Sequence, residues 1–151
     1  IYICGEQIDM IDPTWMLNRV WTALLHEHGD NRIHAEGTLI KKSDASLGKF
    51  FEVVGGELTA QNLKIPINGG VVNTKTADCD GVLNVFLYKT ENWVSKQEKL
   101  SDPANYIPSP ITAVPPGDCV IFEYGPEKDK TDKLCTQYKV KRDKGDLTIS
   151  E

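Results

Sequence analysis

The run Val82-Leu83-Asn84-Val85-Phe86-Leu87-Tyr88 constrains the fold more than any other stretch. Its apolar residues are strong β-formers with little helical period, so they fit a strand near the centre of a sheet. A fold built around a sheet is the starting expectation.

Other extended segments supply partners for it. Cys119 to Tyr124 is a second strong strand, and Leu63 to Ile67 joins Val71-Val72 through Asn68-Gly69-Gly70, which predicts a hairpin. Ile1 to Met10 reads as a strand or tight hairpin turning at Gly5-Glu6, and Arg32 to Ile40 as extended chain with His34, Glu36 and Thr38 on one face.

Two helices are expected beside these strands. Asp12-Pro13 is a helix-start signal, and Leu17, Val20, Trp21, Leu24, Leu25 and His28 recur at helical spacing before Gly29, predicting a helix from Pro13 to about Leu25. A shorter one starts near Ser43 or Asp44, carries Leu47, Phe50, Phe51 and Val54, and ends at Gly55-Gly56. The expected class is α+β: a mixed, grasp-like sheet packed against one longer and one short helix.

A chain of 151 residues fits a single globular domain, 1–151. Residues 89–117 hold five prolines and read as an excursion over the surface, because proline lacks the amide donor that regular pairing needs. Residues 125–151 form a charged C-terminal segment with Cys135, Tyr138 and Val140 as its inward anchors. Net charge is −5, and the lysines of that segment are interleaved with acids, which argues against nucleic acid as a partner. No apolar run in the visible chain approaches the roughly 18 residues of a transmembrane segment.

Cys4, Cys79, Cys119 and Cys135 have no CxxC spacing, which fits two disulfides in an exported protein, with free thiols in a cytosolic one as the other option. Of three possible connectivities, one joins Cys119 to Cys135 across a local turn and leaves Cys4 for Cys79. The chain opens on Ile1 inside an apparent strand, so a processed signal peptide or lipid anchor is expected upstream.

All three histidines fall between positions 26 and 34, with Glu27, Asp30 and Glu36 among them. Divalent copper or zinc takes neutral imidazole and carboxylate donors that converge on one point. His34 and Glu36 share a strand face, and a turn at Gly29-Asp30-Asn31 would bring them back past the helix end to meet His26 or His28, both of which could share an ion only on an extended backbone. The candidate metal ligands are therefore His26, His28, His34 and Glu36. The competing expectation is packing: His28 continues an apolar stripe, and a histidine in a helix's last turn interacts with the helix dipole without any ligand.

Other chemistry is thin. Gly55-Gly56 and Gly69-Gly70 look like cap and turn residues rather than a phosphate loop, and no nucleophile and base can be paired, so no catalytic residue is assigned and an enzyme ranks behind a binding role.

Leu25-His26-Glu27-His28-Gly29-Asp30, Arg32-Ile33-His34-Ala35-Glu36 and Ser46-Leu47-Gly48-Lys49-Phe50-Phe51 together resemble a poorly characterised group of small exported or membrane-anchored archaeal and bacterial proteins. Members of that group carry LHTHD, IHIE and TLGQFF blocks. Pro115-Pro116-Gly117-Asp118-Cys119-Val120-Ile121 resembles the strand-entry segment near their ends. The resemblance implies an extracytoplasmic location, secreted or cell-surface, and a histidine-rich site at His26, His28, His34 and Glu36; Glu27 and Ala35 depart from the pattern. It also implies a further His-x-His just upstream of Ile1.

The leading expectation is an exported, non-catalytic domain that binds copper or zinc. The alternative is a structural subunit of a cell-surface or extracellular filament, a homo-oligomer joined through open strand edges.

Overall fold

The computed structural model describes residues 1–13, 20–109 and 117–150. In chain order the elements are β1 (Tyr2–Ile3), β2 (Glu6–Gln7), β3 (Val20–Trp21), β4 (Leu25–Glu27), β5 (His34–Ala35), α1 (Leu47–Val53), β6 (Glu57–Leu58) and β7 (Leu63–Ile67). They continue with β8 (Gly70–Asn73), β9 (Val82–Glu91), β10 (Val94–Lys99), β11 (Cys119–Gly125), α2 (Thr136–Asp143) and β12 (Thr148–Ser150). The architecture is mixed α+β and mostly sheet.

The largest sheet has the order β12-β10-β9-β11-β1-β2, so the run that begins at Val82 does lie inside it. Pairing is parallel for β1 with β11 and β10 with β12, and antiparallel elsewhere in that sheet. Two three-stranded antiparallel sheets, β3-β4-β5 and β6-β7-β8, complete the strand set.

β9 is buried on both faces because successive side chains enter different clusters. Leu83 and Val85 join Phe122 of β11 against Phe50, Phe51 and Val54 of α1 and Leu63 and Ile65 of β7. Phe86 and Tyr88 join Cys119 and Ile121 against Tyr138 of α2 and Leu147. Burying one such Phe or Leu contributes about 1.5–3 kcal/mol, which explains why α1 and α2 sit where they do.

Ser46 caps α1, its Oγ accepting the Lys49 N–H at 3.2 Å. Ser43 and Asp44 lie in the preceding 3-10 turn, so the α-helix starts a few residues later than the cap signals suggested. Gly55 (φ +81°) ends it. The β7–β8 hairpin turns at Asn68-Gly69 as expected, with Gly69 at φ +89°.

Three expectations are corrected. Val20–Trp21 and Leu25–Glu27 are strands, not the second half of a helix from Pro13; its positions 14–19 lie outside the described residues. Thr22 accounts for the difference: Oγ1 donates to the Leu25 carbonyl at 2.9 Å and accepts the Leu25 N–H at 3.0 Å, closing a turn that competes with the helix. Asp12 is engaged by Asn68, accepting from its Nδ2 at 2.6 Å.

Second, the proline-rich stretch is partly sheet. β9 runs to Glu91, and β10 returns antiparallel along it from Val94 to Lys99. Beyond β10, the carbonyls of Ala104 and Tyr106 accept the N–H groups of Gly48 and Leu47, completing the start of α1. Pro110, Pro115 and Pro116 lie outside the described residues. Third, the charged C-terminal segment contains α2 and β12, with Tyr138 buried while Val140 is exposed.

Two disulfides, Cys4–Cys79 and Cys119–Cys135, use all four cysteines. The second ties β11 to the residue preceding α2.

Candidate metal centre

The site is built on one hairpin. β4 and β5 run antiparallel with Leu25 opposite Ala35 and His26 opposite His34, and the Glu36 N–H donates to the Leu24 carbonyl at 2.9 Å to extend the ladder. Alternation sends Leu25 into the main core cluster, while the rings of His26 and His28 meet on the other face.

The turn between the strands depends on a residue that departs from the sequence pattern. Glu27 is buried, and its Oε1 accepts the N–H groups of Asp30 at 2.6 Å and Asn31 at 2.9 Å. Gly29 (φ +81°) and Asn31 (φ +55°) adopt the left-handed conformation that reverses the chain. At Gly29 a side chain would also press on Asp12 and Pro13, which makes glycine the suitable residue twice over.

Folding the hairpin brings the three imidazoles into mutual contact. Ring centroids are 4.7 Å apart for His26 and His28, 4.5 Å for His28 and His34, and 5.6 Å for His26 and His34. His26 Nε2 lies 3.9 Å from Glu36 Oε2. One donor atom from each of His26, His28, His34 and Glu36 falls within 4.8 Å of the other three. The hairpin thus gathers all four candidate ligands; Ala35 stays apart from them.

A tetrahedral ion with bonds of about 2.0–2.1 Å holds its ligands roughly 3.3 Å apart, so donors within 4.8 Å of one another would close by up to about 1.5 Å around it. Glu36 is 62% exposed and His34 27% exposed, while His26 is fully buried. Nitrogen and carboxylate donors without sulfur suit divalent copper or zinc.

Asp30 flanks this group. Both of its carboxylate oxygens lie within hydrogen-bond distance of His34 Nε2, at 3.2 and 3.1 Å. Its Oδ1 also accepts the Arg32 N–H at 3.2 Å, and Oδ2 stands 3.6 Å from Arg32 Nε. The role of Glu27, and any role of Asp30 beyond the turn, were not legible in the sequence. The available signal was local: an acid three residues before a turn N–H, and another four residues before His34.

Comparison with family models, curated proteins and solved structures returned no match. What the site does therefore rests on its own geometry. Among the described residues, no helix is long and apolar enough to cross a membrane.

Proposed function

We propose that this chain is a non-catalytic, extracytoplasmic domain that binds one divalent transition-metal ion, copper or zinc, through His26, His28, His34 and Glu36. The carrying observation is convergence: four donors from two paired strands, each within 4.8 Å of the rest. The two disulfides support a location outside the reducing cytosol, and the resemblance to exported proteins with LHTHD and IHIE blocks points the same way.

Elemental analysis of protein purified without added metal or an affinity nickel column tests the proposal. Near-stoichiometric copper or zinc is expected, and its loss in His28→Ala/His34→Ala is expected with the fold intact. A wild type without metal that also fails to take up either ion on titration would overturn it.

A structural-subunit role has one favouring observation. β2 and β8 are edge strands that flank a groove of about 380 Å³ lined by Ile3, Ile8, Val71 and Val72, and Val71 is exposed. A strand donated by a second copy would pair there through its backbone. Sedimentation velocity across a concentration series tests this, with a constant monomer as the adverse result.

A further inference from the structure

We propose that Asp30 is a positioning residue of the metal centre: its carboxylate holds the proton on Nε2 of His34 and thereby presents Nδ1 of that ring to the ion. This rests on the metal function proposed above and says how one ligand is prepared for it.

A neutral imidazole has one N–H and one lone pair, and the hydrogen bond made by one nitrogen decides which. At His34 the geometry identifies that bond: Nε2 faces both Asp30 oxygens, at 3.2 and 3.1 Å. An ionised carboxylate only accepts, so the nitrogen facing it must carry the proton. The lone pair is then left on Nδ1. Carboxylate partners of this kind fix the orientation of a ligating histidine and raise its basicity.

Asp30 is itself held by the turn. Its N–H donates to Glu27 Oε1, and its Oδ1 accepts the Arg32 N–H. Arg32 Nε stands near the second oxygen. The buried Glu27 carboxylate thus shapes the turn, the turn aims Asp30, and Asp30 sets the tautomer of His34. The donor group within 4.8 Å contains Glu36 as its one carboxylate, which leaves Asp30 outside the ligand set.

The test uses protein labelled with ¹⁵N at histidine. Long-range ¹H–¹⁵N correlation in the metal-free wild type should show His34 with its proton on Nε2, and Asp30→Ala should convert His34 to a tautomer mixture. Asp30→Ala should also weaken Zn²⁺ binding about 10- to 100-fold, measured by competition with a chromophoric chelator, while one Zn²⁺ per chain is still reached at saturation. Retained amide dispersion would show that the hairpin is intact, and Asp30→Glu should recover part of the affinity.

A wild-type His34 with its proton on Nδ1 overturns the inference, as does an Asp30→Ala affinity within twofold of wild type. Loss of saturable stoichiometry in a folded Asp30→Ala protein also overturns it, since Asp30 would then be a ligand. Because the tautomer is read without metal, the two failures separate. A wild type that binds no Zn²⁺ or Cu²⁺ removes the proposed function and this role with it, whereas a metal-binding wild type with the wrong tautomer removes only the role of Asp30.

Discussion

His26 and His34 face each other across the β4–β5 ladder, with ring centroids 5.6 Å apart and planes within 12° of parallel. One ring is fully buried and the other is partly open, so an ion held by the pair would meet one enclosed and one accessible ligand. Metal that binds only the folded hairpin stabilises it by mass action. At a free Zn²⁺ concentration 100 times the dissociation constant, wild type should gain about 2.7 kcal/mol against urea. His34→Ala should gain nothing, while its metal-free stability falls by less than that of His26→Ala. Equal stabilisation of wild type and His34→Ala would remove His34 from the site.

Glu27 makes a separate prediction, because it builds the turn without belonging to the four-donor group. Two backbone N–H groups depend on its Oε1. Glu27→Ala should cost about 1–3 kcal/mol through those unsatisfied donors and should weaken Zn²⁺ binding by loosening the return of His34. Urea titration and chelator competition on the same variant check both effects. Unchanged affinity would show that the hairpin reaches its register without the Glu27 cap.

β9 and β11 of the largest sheet, and the separate β7–β8 hairpin, were legible because they are specified by their own residues: apolar β-formers, or a turn at Asn68-Gly69. The short helix was equally local, marked by Leu47, Phe50, Phe51 and Val54. The stretch up to Leu25 misled because an apolar spacing that suits a helix also suits two short strands, and the deciding bonds come from Thr22 to the backbone of Leu25. β10 and α2 gave almost no hydrophobic signal: Ser95 is the fully buried residue of one and Tyr138 of the other. At the candidate site the ligand types could be read directly. The hairpin that gathers them turns at Gly29 as its sequence suggests, but it also depends on Glu27, whose role appears only once the chain has turned.

Tyr106 predicts an alkaline limit. Its O–H donates to Asp118 Oδ2 at 2.6 Å, and burial first, then the Asp118 carboxylate, raise its pKa above the ordinary tyrosine value. Burial raises Tyr88 and Tyr138 in the same direction. In the unfolded chain a tyrosine ionises near about pH 10. With folded values raised, the tyrosine contribution is fully present below that pH and is lost as pH rises above it toward the folded values. Urea stability should therefore fall above pH 10, and Tyr106→Phe should make that fall shallower. An identical alkaline slope in Tyr106→Phe would separate this hydroxyl from the transition.

The disulfides should differ in what they contribute. Cys119–Cys135 closes a separation of 16 residues and Cys4–Cys79 one of 75. Chain-entropy reasoning then gives about 3 kcal/mol for the first and about 4.5 kcal/mol for the second, because the longer loop has more freedom to lose in the unfolded state. Local packing pushes the other way. Cys119–Cys135 sits against Tyr138, whose O–H donates to the Gly117 carbonyl at 2.7 Å, so its loss also releases α2 from the sheet. Paired Cys→Ser variants should separate the two effects: Cys4→Ser/Cys79→Ser lowers global stability more, whereas Cys119→Ser/Cys135→Ser raises amide exchange selectively in α2 and β12. Uniform exchange changes in both variants would mean that the cross-links act on the unfolded chain alone.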